Sequence, residues 1–166
     1  MLGIPRERAG AFALFAESPF DFERWAVSLV HAQPNEKQVG DKGIDGVARF
    51  PTDGRGGLGR VLVSVKGGKN VGPQFVRDLL GTVETQKAQM GVLIMMSAPT
   101  TGMVDAVNHG GTYELAVNGQ KFPRVQIITI DQLLKGQLPK MPATLTPYIQ
   151  ATKRTALSKS AGLFDL

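Results

Sequence analysis

An aspartate among glycines and a lysine at the end of an apolar run are the residues best suited to chemistry. Asp45 lies in the stretch GDKGIDG at 40–46, where Asp41 predicts a local turn. Lys66 follows the run VLVSV at 61–65. A carboxylate is a preferred ligand of Mg²⁺, and a nearby lysine can help an attacking water or stabilise developing negative charge. Such a pair is suited to hydrolysing a phosphodiester.

Two predicted strands bring these groups together. Residues 44–50 and 60–66 have strand composition, and the glycine-rich stretch between them predicts a hairpin. Because neighbouring strands lie about 5 Å apart, Asp45 and Lys66 can meet across the hairpin. Side chains alternate along a strand, so Ser64 is expected on the same face as Lys66.

The remaining pattern predicts a mixed α/β fold, a central sheet with helices on both faces. Ser18 before Pro19 predicts the start of a first helix ahead of the hairpin. Helix, strand, helix, strand and a short helix capped by Asp131 then follow at Gly72-Pro73, 91–98, Pro99–Thr101, 124–130 and 131–136. Helices between strands are typical of parallel crossovers, so parallel and antiparallel pairs are expected in one sheet.

The composition indicates one ordinary globular domain. We expect a lead-in or linker segment at 1–18, the domain at 19–137, and a proline-rich wrap with a basic tail at 138–166. The net charge of +5 is compatible with a polyanionic partner, or simply with a basic protein. The chain has no cysteine, which excludes disulfides and cysteine-bound zinc and fits a cytoplasmic location. No stretch approaches the roughly 20 apolar residues that span a membrane, so no membrane partner is expected.

The order of these motifs resembles a known family. The helix with FERW at 22–25, the stretch GDKGIDG, the strand ending at Lys66, and GVLIMMSAPTT at 91–101 resemble the Mrr-type restriction endonuclease domain. That domain belongs to the PD-(D/E)XK nuclease superfamily, and the likeness is greatest to the version at the C-terminus of DNA methyltransferases. The resemblance covers Phe20 to Gly136. It implies a mixed sheet flanked by helices and Mg²⁺- or Mn²⁺-dependent cleavage of double-stranded DNA.

The resemblance also implies roles for individual residues. By position, Asp45 matches the metal-binding aspartate and Lys66 the catalytic lysine. Glu23 matches an acidic residue on the first helix that often faces the site. Ser64 departs from the pattern, because the superfamily usually has Asp or Glu there and Mrr-type members have Gln. Serine is a shorter and weaker ligand, so the carbonyl of Val65, Glu23 or a water is expected to complete the metal shell.

Four further residues are candidate DNA contacts. Gly68, Lys69 and Asn70 follow the catalytic strand, where backbone amides and a lysine can meet a phosphate. The alternative is a flexible exit loop. Arg77, on the second predicted helix, can touch DNA or be an ordinary solvated charge. Glu84, on the same helix, is a less favoured candidate for a carboxylate that replaces the missing acid.

We therefore expect a Mg²⁺-dependent endodeoxyribonuclease domain of a restriction-modification system. A fused or partner DNA methyltransferase is expected, and a homodimer is expected because cutting both strands usually requires two sites. The alternative is a catalytically degenerate module that holds DNA for such a methyltransferase without cutting it. Ser64 is the feature that keeps this alternative open.

Overall fold

The computed structural model describes residues 4–35 and 43–145, which form helices and strands; the predicted basic tail lies outside them. The helices are α1 (Arg8–Glu17), α2 (Pro19–Leu29), α3 (Pro73–Thr85), α4 (Thr101–Asn108) and α5 (Ile130–Leu134). The strands are β1 (Gln33–Pro34), β2 (Gly46–Pro51), β3 (Leu58–Lys66), β4 (Met90–Met95), β5 (Thr112–Glu114), β6 (Lys121–Pro123) and β7 (Val125–Thr129). None of the described helices has the length and apolar character needed to cross a membrane.

The main sheet has five strands in the order β1-β2-β3-β4-β7. The predicted hairpin is confirmed: β2 and β3 are antiparallel, with Gly46 opposite Val63. β3, β4 and β7 run parallel, and α3 and α4 lie in the connections between them. β5 and β6 form a separate two-stranded sheet. The mixed sheet predicted from the sequence is therefore confirmed.

The alternation of side chains along β3 divides the core into two layers. Val61, Val63 and Val65 pack in the layer that also contains buried residues of α1, α2 and α5. Leu62 packs in the other layer, against α3 and α4. β4 lies between the layers and is buried at all six positions, which explains its unbroken apolar sequence. Helices therefore cover both faces of the sheet, as predicted.

The segment predicted as a lead-in or linker contains α1, which packs against α2 and α5. Ala11 is fully buried. The rings of Phe15 and Phe22 meet edge to face, with centroids 5.3 Å apart. Apolar residues lie all around α1, so its sequence lacks the one-sided stripe that identifies an amphipathic helix. Tertiary contacts stabilise this helix, and the local sequence pattern does not predict them.

Helix caps follow the expected chemistry with one correction. Ser18 caps α2 as predicted. The prediction that Asp131 caps α5 is wrong, because Thr129 does so in a capping box with Gln132. The Thr129 hydroxyl accepts from the backbone N–H of Gln132 at 3.2 Å, and the Gln132 side chain accepts from the Thr129 N–H at 2.9 Å. Asp131 lies two residues further on, in the first turn of α5, and pairs with Arg8 at 3.4 Å.

The proline-rich segment after α5 runs across the sheet. The side-chain amide of Gln126 on β7 makes two 2.8 Å hydrogen bonds with the backbone of Lys140, donating to its carbonyl and accepting from its N–H. Five residues later, the N–H of Leu145 donates to the carbonyl of Arg49 on β2 at 2.8 Å. The segment therefore contacts β7 and β2, two strands that do not touch each other.

Candidate nucleic-acid site

Asp45 is fixed by its own backbone at the point where β2 begins. Its N–H donates to the carbonyl of Val63 at 2.8 Å, and its carbonyl accepts from the N–H of Asn35 at 2.9 Å. Its carboxylate oxygen Oδ2 accepts from the N–H of Val65 at 2.7 Å. In a continued antiparallel ladder a backbone carbonyl takes that N–H. The carboxylate therefore ends the β2–β3 ladder as well as facing the site.

The structure brings Glu23 to Asp45. α2 can approach the strand because Gly46 has no side chain; a Cβ there would clash with Val27. Burial raises the pKa of Glu23, the negative charge of Asp45 raises it further, and Lys66 partly opposes the shift. Burial also raises the pKa of Asp45, against the effects of its backbone hydrogen bond and of Lys66. Three of the predicted site residues thus share one electrostatic environment.

Ser64 lies beside Lys66, as the strand alternation predicts. Its side chain is buried, with 6% of the residue exposed. It lines a cavity of about 110 Å³ together with Lys66 and with Gly43, Ile44, Phe75, Asp78 and Leu79. Ser64 therefore places a neutral hydroxyl, with little contact with solvent, where the Mrr-type resemblance leads us to expect Asp, Glu or Gln.

Two residues of α3 at this cavity escaped the sequence reasoning. Phe75 is partly buried against the core, and its ring centroid lies 5.0 Å from Nζ of Lys66. Asp78 was not singled out, and its carboxylate accepts from the side-chain amide of Gln74 at 2.6 Å. Their positions in the sequence could have indicated this, because Asp78 is three residues after Phe75 and both therefore lie on one face of α3.

The oxygen ligands that the site offers would fit a weak Mg²⁺ site. The carboxylates of Asp45 and Glu23 would hold the ion. The N–H and carbonyl of one strand residue point to the same edge, so the Val65 carbonyl also faces Asp45. Ser64 adds no charge, and the described residues contain no cluster of three or more acidic or histidine side chains suited to a metal. Mg²⁺ commonly uses one or two carboxylates with waters and substrate phosphate. An ion here would therefore depend on a bound phosphate.

The candidate DNA contacts lie on the surface. Gly68, Lys69 and Asn70 are exposed in the segment that follows β3. Arg77 is exposed on α3, where its guanidinium donates to the side chain of Gln74 at 3.1 Å. These positions leave Lys69 and Arg77 accessible to a ligand on the side of the sheet where β3 ends.

Glu84 does not replace the missing acid. It lies in the last turn of α3 and pairs with Arg124 at 3.2 Å. Arg124 immediately precedes β7, at the end of the sheet where β4 begins, whereas Lys66 pairs with Met95 where β4 ends. The length of β4 therefore separates Glu84 from the site. Asp41, predicted as a turn residue, lies outside the described residues.

Asp45→Asn is expected to keep the fold and to change how stability depends on pH. The folded-state pKa of Asp45 lies above its ordinary value of 3.8, so the folded protein keeps a proton that the unfolded chain releases. Stability contributed by this group therefore falls as pH rises through that interval. The melting temperature of Asp45→Asn should improve relative to wild type as pH rises above about 4. A difference in melting temperature between the two proteins that does not change with pH would contradict a raised pKa of Asp45.

Asp45→Ala provides the matched comparison. It removes the acceptor and leaves the buried N–H of Val65 without its partner. This should lower the free energy of unfolding by about 1–3 kcal/mol throughout the pH range. Asparagine retains an acceptor oxygen in the same place. Denaturant unfolding of the two variants separates the hydrogen bond from the charge.

Comparisons with known proteins agree on the fold. The family described as NACHT-associated inactive restriction endonuclease 1 matches residues 19–135. The MspJI restriction endonuclease, solved in complex with a 27-mer oligonucleotide, superposes with a TM-score of 0.56 at 14% identity over 92% of this chain. The DNA modification-dependent restriction endonuclease AspBHI superposes with a TM-score of 0.56 at 18% identity over 96% of it.

The chain spans only part of these two enzymes. The matched regions are 34% of the MspJI chain and 42% of the AspBHI chain. At these identities the likeness concerns the fold alone. No curated protein sequence matches the chain.

Proposed function

Since the chain belongs to the NACHT-associated inactive restriction endonuclease 1 family, we propose that it is a DNA-binding module with an endonuclease fold that does not cut efficiently. The proposal corresponds to the degenerate alternative raised by the sequence. The family description supports it, and so does the composition of the site.

The observation that carries the proposal is Ser64. It is buried and neutral, and the resemblance stated from the sequence implies an acidic metal ligand at this position. Glu23 and Asp45 are then the only carboxylates that we assign to the ion, and one Asp45 oxygen already accepts the N–H of Val65. Mg²⁺ strips its water reluctantly and needs near-ideal octahedral geometry. A site with so few charged ligands is expected to bind the ion poorly without DNA.

Binding to DNA needs none of these metal ligands. Phosphate contacts from lysine, arginine and backbone N–H groups supply most sequence-independent affinity. Among the described residues, Lys66 ends β3, Lys69 is exposed three residues later, and Arg77 is exposed on α3. The fold is shared with enzymes that act on DNA, one of them solved with an oligonucleotide. Double-stranded DNA is therefore the proposed ligand.

A second candidate function is Mg²⁺-dependent cleavage, as the Mrr-type resemblance implies. The observation that favours it is the retained trio of Glu23, Asp45 and Lys66, whose charges interact. In such a site the acids would hold the ion, which would supply charge stabilisation at the phosphate. Lys66 would hold or accept a proton at the attacking water.

The wider setting of the domain is also a proposal. The family description associates it with NACHT proteins, which favours a NACHT-bearing partner over the methyltransferase predicted from the sequence. The methyltransferase partner, the homodimer and the cytoplasmic location stay predictions.

The wild-type chain is expected to bind duplex DNA and to leave plasmid intact with Mg²⁺. Affinity should fall with salt by roughly 0.9 log units per phosphate contact for each log unit of salt. Lys69→Ala should lower affinity for all sequences about equally and reduce that slope by about one contact. Fluorescence anisotropy at several salt concentrations measures binding, and plasmid nicking with Mg²⁺, Mn²⁺ or EDTA measures cleavage. Efficient nicking that EDTA abolishes would establish the second candidate instead, and no binding at low salt would remove DNA as the ligand.

A further inference from the structure

The ammonium of Lys66 lies in a group of carboxylates without pairing to one. Glu23 approaches from α2, Asp45 from the position before β2, and Asp78 from α3. Nevertheless Lys66 is in neither of the ion pairs found between described residues, Arg8–Asp131 and Arg124–Glu84. The ring of Phe75 lies within the distance of a cation–π contact, with Nζ 5.0 Å from the centroid.

We propose that Phe75 is a positioning residue that keeps the Lys66 ammonium available to a DNA phosphate. A cation over an aromatic face is attracted by the ring quadrupole, and the ring offers no proton acceptor that competes with phosphate oxygens. A lysine without this support has four flexible methylenes and a choice of nearby carboxylates. The ring therefore lowers the ordering cost of phosphate binding and opposes capture by the acids.

The backbone at the root of Lys66 is held from the opposite layer. Gly67 packs directly under the ring of Phe15 on α1, where a Cβ would lie 2.7 Å from a ring carbon. Lys66 itself is bound to β4, since the N–H of Met96 donates to its carbonyl at 3.3 Å. With the backbone fixed, the ring of Phe75 sets the remaining freedom of the side chain.

The inference rests on the proposed DNA binding, and a double-mutant cycle tests it. Phe75→Leu should weaken duplex DNA binding roughly two- to fivefold, the range expected for one cation–π contact. Phe75→Tyr keeps the ring and should bind like wild type. In a Lys66→Met background, Phe75→Leu should cause no further loss, because the ring acts through the lysine. The inference would be overturned if Phe75→Leu weakened DNA binding equally with and without Lys66→Met. It would also be overturned if Phe75→Leu alone did not weaken binding.

Phe12→Leu is the matched control. Phe12 lies on α1 with the guanidinium of Arg8 5.3 Å from its ring centroid, the same type of contact away from the cavity. This variant should bind DNA like wild type. If Phe12→Leu weakens binding as much as Phe75→Leu, the effect of the ring is not specific to Lys66 and the inference falls.

A measurement without DNA separates this inference from the proposed function. The ε-methylene protons of Lys66 should carry an upfield ring-current shift in the NMR spectrum of wild type, lost in Phe75→Leu. An unchanged shift in Phe75→Leu overturns the inference, whatever wild type binds. If this NMR shift depends on Phe75 but the wild-type chain binds no DNA, the proposed function is overturned. The positioning of Lys66 by the ring then stands, but DNA is not the ligand.

Discussion

Ser64→Glu is expected to bind divalent cations roughly 10- to 100-fold more tightly than wild type, a change of the size that ligand-shell residues typically produce. The new carboxylate would project from β3 on the same face as Lys66, whose charge interacts with those of Asp45 and Glu23. The cavity of about 110 Å³ next to Ser64 offers space for the longer chain. The substitution adds the acidic residue that the resemblance implies at this position.

The metal-free variant should be less stable than wild type, because a further carboxylate is confined near two others. Mn²⁺ should recover the lost melting temperature, since a ligand that binds only the folded state stabilises it. Calorimetric titration with Mn²⁺ measures the affinity directly, and plasmid nicking with Mg²⁺ reports any cleavage. If the site then completes its metal shell, nicking should rise above that of wild type.

Ser64→Met is the control for size. It has a similar length but no charge, so it should gain no metal affinity. Ser64→Glu combined with Asp45→Asn should lose most of the gain, because the two carboxylates are proposed to share the ion. A folded Ser64→Glu that binds no more Mn²⁺ than Ser64→Met would show that position 64 does not face a metal site.

Phe15→Ala is expected to lower the free energy of unfolding by about 3 kcal/mol, the low end for removal of a core phenylalanine, because the ring is half-buried. The ring packs against Phe22 in the core and against the backbone of Gly67 beyond Lys66. Its loss should also weaken DNA binding, since the root of Lys66 loses its support. Urea unfolding and fluorescence anisotropy measure the two effects.

Phe12→Ala tests the same helix from its outer side. Phe12 is 37% exposed and contacts the guanidinium of Arg8. Its removal should cost about 1 kcal/mol and leave DNA affinity unchanged. Equal destabilisation by the two variants would mean that α1 contributes general helix stability rather than a specific contact at the site.

Strong local patterns made much of the fold predictable. The apolar run of β4, the Gly72-Pro73 start of α3 and the glycine-rich hairpin each have one dominant interpretation. α1 has none, because its residues are apolar on every side and only its tertiary neighbours decide which are buried. The β5–β6 hairpin was missed because each strand has three residues, although Asn118-Gly119 between them is a strong turn signal.

The site was predictable where the resemblance supplied residue types in order. Glu23, Asp45 and Lys66 lie far apart in sequence, and the structure gives them one electrostatic environment. The contact of Phe75 with Lys66 was not predictable, because an aromatic residue at helical spacing is usually a core residue. Whether its ring faces a methyl group or an ammonium depends on the packing angle between α3 and β3, which no sequence period encodes.

The strap formed by residues 138–145 has a consequence for aggregation. A sheet with open edges can template pairing with strands of other molecules. Here the side-chain amide of Gln126 on the outer strand β7 hydrogen-bonds the backbone of Lys140 through both its oxygen and its nitrogen, as a neighbouring strand would. Leu145 pairs with the part of β2 that the two-residue strand β1 leaves uncovered. Pro34 in β1 also lacks an N–H to offer. The described sheet is thus protected against edge-to-edge polymerisation, so oligomers of this domain are expected to form through helices or loops.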